Sequence, residues 1–186
     1  MRTAGFVLVG GASTRMGRDK AFLRAADGLL LESIARKVKE AAGSVCVVGA
    51  RQRYSEFKLR SIDDLRPGLG PLAGVEAALV SSDAEWNLIV ACDMPGVEAS
   101  WLAQLLDEAQ RRAAVCLISQ DPDGRLHPLC GVWRREALPH VQRALDEKRL
   151  RVLELIRELG AETVKSSRPL ANVNTPEDWQ SWQLTR

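Results

Sequence analysis

The first apolar run of the chain ends in two adjacent glycines. Phe6 to Val9 has the length and β-branched content of a buried strand, and it stops at Gly10 and Gly11. Two residues without Cβ let the backbone turn sharply and let a ligand approach it closely. Small hydroxyl residues (Ser13, Thr14), a third glycine (Gly17) and the cations Arg15, Arg18 and Lys20 follow. A strand opening into a loop of this kind suits phosphate, because backbone N–H groups supply fixed donors and the long side chains supply charge. The alternative, a βα turn with solvated cations, explains a lone glycine pair better than it explains the whole cluster.

Two familiar phosphate motifs do not fit. Gly17 is followed by Arg18 and Asp19 where a P-loop needs Gly-Lys-Ser/Thr, and adjacent Gly10 and Gly11 do not match G-x-G-x-x-G. At 186 residues the length predicts one domain, residues 1–186, with a sizeable core. A formal net charge of +2 is too small to point to nucleic acid or a membrane surface. Cys46, Cys92, Cys116 and Cys130 lack metal-binding spacing and read as small buried hydrophobes, which fits a reduced cytoplasm. No signal peptide or membrane span is expected from the start of the chain or from its apolar runs.

Along the chain, Leu31 to Ala42 has helical spacing before Gly43, and Ser44 to Gly49 and Phe57 to Ile62 read as strands, the latter at an edge. Asp63 to Leu72, rich in proline and glycine, is an ordered loop leading into a helix over 73–81. Trp86 to Ala91 is a strong strand that runs into Cys92-Asp93-Met94-Pro95. A carboxylate at the end of a central strand, with a proline fixing the turn, is well placed to hold a metal; its alternative role is to cap the next helix.

A helix follows near Leu102 to Ala113, then a strand over 114–119 and a return strand from His127 to Trp133. Two further helices end near Lys148 and Leu159, and Ala161 to Lys165 is a short strand. Asn172 to Asp178 combines a strand end with a helix start, with Thr175 as N-cap and Pro176 at the first helical position.

Alternating strands and helices predict an α/β fold with a mostly parallel central sheet covered on both faces. Ligands bind such sheets beyond the carboxyl ends of the strands, where Gly10, Gly11, Asp63, Asp64 and Asp93 would gather. A cationic loop facing carboxylates suits a nucleoside triphosphate with Mg²⁺. With no evident protein nucleophile, direct attack on phosphorus is the simplest chemistry, Lys20 neutralising phosphate charge and Asp93 holding the metal.

The stretch LVGGASTRMGRDK from Leu8 to Lys20 resembles the signature of the molybdenum cofactor guanylyltransferases, within the nucleotidyltransferase superfamily. The likeness continues through Asp64 to Gly74, Cys92 to Pro95 and His127 to Leu129, and ends with Asn172 to Pro176. It implies a Rossmann-like three-layer nucleotidyltransferase fold and transfer of GMP from GTP to the molybdopterin-bound molybdenum cofactor, with pyrophosphate released. It also implies that Leu8, Val9, Gly10 and Gly11 border the nucleotide, and that Arg15 guides the triphosphate. Lys20 would bind phosphate, Asp64 the nucleotide, Asp93 Mg²⁺, and Asn172 and Asn174 the pterin side. Cofactor-delivery proteins and client-enzyme maturation proteins are the implied protein partners.

Three departures from the family pattern bear on the site. Val9 replaces a usual alanine, the Asp63-Asp64 doublet leaves the matching carboxylate open (spacing to Gly70 favours Asp64), and Gly49 replaces an asparagine of some relatives. Gly11, where related cytidylyltransferases have alanine, favours the larger purine. Alternative readings are a cytidylyltransferase, a sugar-phosphate nucleotidyltransferase, or a binding protein that has lost its chemistry.

Overall fold

The computed structural model describes residues 2–10, 19–25 and 28–184. Gly11 and Arg15 of the expected phosphate loop lie outside these residues. The first strand, β1 (Thr3–Leu8), is followed by a short hairpin, β2 (Arg24–Ala25) with β3 (Gly28–Leu29), and by α1 (Leu30–Ala42). Next come β4 (Cys46–Val48), β5 (Ser61–Ile62), α2 (Pro71–Val80), β6 (Trp86–Ala91) and α3 (Ala99–Arg112). The chain continues through β7 (Cys116–Gln120), β8 (Leu126–Arg134), α4 (Leu138–Asp146), α5 (Val152–Glu158), β9 (Glu162–Lys165) and α6 (Pro176–Leu184).

Seven strands form one sheet in the order β5-β4-β1-β6-β8-β7-β9. The pairs β5/β4, β4/β1, β1/β6 and β7/β9 are parallel, whereas β8 runs antiparallel to both neighbours. The sheet is therefore mostly parallel, with β8 as the expected return strand.

Successive residues of the central strands point to opposite faces, and both faces are covered. Val7, Leu88 and Val90 pack with Leu31, Ile34 and Val38 of α1, Leu102 and Leu105 of α3, and Trp179 and Trp182 of α6. Phe6 and Ile89 pack with Leu72, Val75 and Leu79 of α2, Val141 of α4, and Leu155 and Ile156 of α5. Burying each such side chain contributes roughly 1.5–3 kcal/mol, so the two cores fix which strand ends lie side by side. No helix among the described residues is long and apolar enough to cross a membrane.

Two expectations are corrected. Phe57 to Ile62 is not one strand: Arg51–Phe57 forms a 3-10 helix and only Ser61–Ile62 joins the sheet. Phe57 instead packs against Phe22, as does Tyr54 of the same 3-10 helix, with ring centroids 5.1 and 6.2 Å away respectively. Asn172 to Asn174 is not a strand end; the Val173 N–H donates to the Asp93 carbonyl at 2.8 Å rather than to a ladder. The helix start after it is as expected. Thr175 Oγ1 accepts the Asp178 N–H at 3.2 Å, and Asp178 Oδ2 accepts the Thr175 N–H at 2.9 Å, a reciprocal cap.

Candidate active site

The carboxyl ends of β5, β4, β1 and β6 are brought level by main-chain bonds beyond the strands. Val9 N–H donates to Val48 O at 2.9 Å, Gly49 N–H to Ile62 O at 3.0 Å and Cys92 N–H to Leu8 O at 3.0 Å. A cleft of about 530 Å³ opens there. Leu8, Val9, Gly10, Lys20, Asp64 and Asp93 all line it, together with Asp19, Val48, Gly68, Gly70, Gly74, Cys92 and Leu129. Asp63, Asn172 and Asn174, also expected here, are not among the residues that line it.

Gly10 has φ +103°, a backbone conformation that L side chains rarely adopt, and no atom would crowd a Cβ there. Its requirement is conformational. Gly49 combines φ +146° with close approach: a Cβ would lie 2.5 Å from Val9 O and 2.8 Å from Val9 Cγ2. An asparagine cannot occupy this position without moving the end of β1.

Lys20 opens a 3-10 turn, Lys20–Phe22, capped by Asp19. Asp19 Oδ1 accepts the Ala21 N–H at 3.1 Å, and Oδ2 accepts the Tyr54 hydroxyl at 2.9 Å and lies 2.7 Å from Arg53 Nε. From this anchored turn the Lys20 ammonium donates to Asn174 Oδ1 at 2.8 Å and stands 3.6 Å from Asp93 Oδ2.

Asp93 follows β6 in a turn held from both sides. Its carbonyl accepts the Val173 N–H, and Lys37 Nζ donates to Pro95 O at 3.1 Å. Glu98, not Asp93, stands at the N-cap position of α3, which removes the capping alternative. Burial pushes the Asp93 carboxyl above the usual carboxylate range, and the Lys20 charge pulls it part of the way back. Asp93 Oδ1 is buried without a hydrogen-bond partner. An orphaned carboxylate oxygen beside a polyphosphate-sized cleft fits a hard divalent cation that takes its other ligands from phosphate and water. Asn172 Oδ1 is likewise buried and unpartnered, on the segment bonded to Asp93.

The aspartate doublet is divided. Asp63 Oδ1 accepts the Arg51 N–H at 2.7 Å, whereas Asp64 lines the cleft. Burial, followed by the neighbouring Asp63 charge, holds the Asp64 carboxyl above its ordinary range. The loop carrying it is fastened by Arg66, whose Nε lies 3.1 Å from Glu76 Oε2 on α2 and whose Nη1 lies 2.5 Å from Asp146 Oδ1 on α4.

Two acidic residues of this region escape sequence reasoning. Asp19 carries one available signal, its place just before a helical turn. Asp121 carries none, because it reads as a turn residue. Its Oδ1 accepts the buried Leu170 N–H at 2.7 Å, and its Oδ2 lies 3.0 Å from His127 Nε2. Nearby, the β7–β8 register jumps from Ile118/Gly131 to Ser119/His127, a bulge in β8 that includes Leu129, a residue of the cleft wall.

Residues 5–163 match the family model of the MobA-like NTP transferase domain. The chain is 35% identical over 183 residues to the molybdenum cofactor guanylyltransferase of Xanthomonas euvesicatoria pv. vesicatoria, covering 94% of this chain and 91% of that protein. It is 29% identical over 187 residues to the molybdenum cofactor guanylyltransferase of Serratia proteamaculans, with 96% and 93% covered. The fold is that of the molybdopterin-guanine dinucleotide biosynthesis protein A of Archaeoglobus fulgidus: TM-score 0.84 at 23% identity, over 98% of this chain and 97% of that one. The strand-end cleft, the Lys20–Asp93 pair and these likenesses agree, and the chain belongs to the molybdenum cofactor guanylyltransferase family of MobA-like nucleotidyltransferases.

Proposed function

We propose that this protein transfers GMP from GTP to molybdopterin carrying molybdenum, giving the guanine dinucleotide cofactor and pyrophosphate. The observation that carries the reading is the Lys20 ammonium 3.6 Å from Asp93 Oδ2, in a cleft at the ends of the parallel strands. Family membership supplies the identity of the two substrates.

In the reaction a terminal phosphate oxygen of molybdopterin forms a bond to the α-phosphorus of GTP. The bond from that phosphorus to the α–β bridging oxygen breaks, and pyrophosphate leaves with the electron pair. No protein nucleophile is required, so this chain's residues act by positioning and by charge. Leu8, Val9, Gly10 and Gly11 border the nucleotide, and Asp64 faces it from the loop before α2. Lys20 neutralises charge on the phosphates, and Arg15 guides the triphosphate. Asp93 holds Mg²⁺, which when bound offsets phosphate charge and favours the departing pyrophosphate. Asn172 and Asn174, on the segment bonded to Asp93, serve the pterin side. The four buried, unpaired thiols support a reducing compartment, the cytoplasm.

A nucleotide panel (GTP, CTP, ATP) with molybdopterin and several sugar phosphates as acceptors, read by pyrophosphate release, tests the assignment. Release with GTP and molybdopterin is expected. Turnover confined to CTP or to a sugar phosphate would overturn it.

A further inference from the structure

Lys20 does not sit on the sheet itself. It opens a short turn, and something must hold that turn at the cleft. The turn's cap, Asp19, is gripped on its outer oxygen by two neighbours from the 3-10 helix 51–57: the Tyr54 hydroxyl at 2.9 Å and Arg53 Nε at 2.7 Å. Asp19 and Tyr54 belong to segments far apart in the chain, and Tyr54 is buried, its ring packed on Phe22 of the same turn.

The same 3-10 helix is tied at its other end to the opposite wall of the cleft. Its first residue, Arg51, donates its N–H to Asp63, next to Asp64. One short helix therefore bridges the lysine-bearing turn and the aspartate-bearing loop. A small displacement of a group that must meet charge on phosphate is costly in rate, so the bridge bears on chemistry as well as on folding.

We infer that Tyr54 is a positioning residue for Lys20: its hydroxyl, by donating to Asp19, sets where the ammonium meets the phosphates. The inference rests on the proposed role of Lys20. Arg53 shares the task but is half exposed on its side chain, at 53%, and is the weaker anchor. Tyr54 is the better probe because phenylalanine keeps the ring contacts and removes only the donor.

The test is a double-mutant cycle on turnover with GTP and molybdopterin, using Tyr54→Phe, Lys20→Ala and the double variant. Tyr54→Phe is expected to lower kcat about three- to tenfold, the loss of one hydrogen bond to a carboxylate. In the Lys20→Ala background the same change should have almost no further effect on kcat, because Tyr54 acts through Lys20. A purely structural role gives the opposite pattern: equal fold losses in both backgrounds, tracking the fall in Tm. That additive result, or a Tyr54→Phe enzyme with wild-type kcat, overturns the inference. If instead Lys20→Ala itself turns over like wild type, the assigned role of Lys20 fails, and the two failures are distinguishable. Should Tyr54→Phe fold poorly, Asp19→Asn, which keeps the turn's cap acceptor, enters the cycle in its place with the same expected non-additivity.

Discussion

The Val173 N–H donates to the Asp93 carbonyl oxygen at 2.8 Å, joining the segment before α6 to the turn after β6. Through this bond the last part of the chain closes on the central strand of the sheet. Asn174, one residue on, accepts from the Lys20 ammonium, which also stands beside the Asp93 carboxylate, so three separate segments meet around Asp93.

Asp93→Asn is expected to abolish transfer and the Mg²⁺ dependence of GTP binding while raising stability at neutral pH. A carboxyl whose folded pKa lies above its unfolded value costs stability when ionised. The cost is present above the folded pKa and disappears as pH falls through it towards the unfolded one. Thermal scans should show the variant melting above the parent at pH 7. The gap should close in acid.

Lys20→Ala should lower kcat by about 10²–10³, the usual result of removing one donor aimed at developing charge. Melting at neutral pH should fall, because Asp93, whose carboxyl burial already holds above its ordinary range, loses the neighbouring charge that offsets that burial. Steady-state kinetics with paired melting curves separate the two effects.

The two adjacent aspartates should respond differently. Asp63→Ala removes the acceptor of the Arg51 N–H and should cost about 0.5–1.5 kcal/mol of stability. Asp64→Ala should weaken GTP binding in a calorimetric titration without lowering Tm, because burial already disfavours its charge. Equal losses of GTP affinity in both variants would contradict this division.

Gly49→Asn, which introduces the side chain some relatives carry there, should gain no nucleotide contact. The positive φ and the Val9 carbonyl 2.5 Å from a Cβ predict a loss of about 1–3 kcal/mol, read as a lower denaturant midpoint.

The parts of this fold legible from residues alone are those whose signal is local. Leu88, Ile89 and Val90 read as a strand because both faces of the sheet are covered, and Asp93 stands out because a strand and a proline bracket it. Phe57 to Ile62 misleads because Phe57 packs on Phe22, far back in the chain, instead of pairing in the sheet. Asn172 to Asn174 misleads similarly, since the Val173 N–H bonds to the Asp93 carbonyl instead of to a ladder. Asp19 and Asp121 are polar residues whose main-chain and side-chain partners are mostly remote, Tyr54 and Arg53 for one and Leu170 for the other. Only His127, the second partner of Asp121, lies near it in the sequence.

Arg66 spans from Glu76 inside α2 to Asp146 at the end of α4, on the face of the sheet away from α1. Asp146 touches no part of the cleft, yet it tethers the loop that presents Asp64. Drift at this outlying surface acid would thus surface as weakened nucleotide binding, and a search for such variants that sampled only the cleft lining would pass it by.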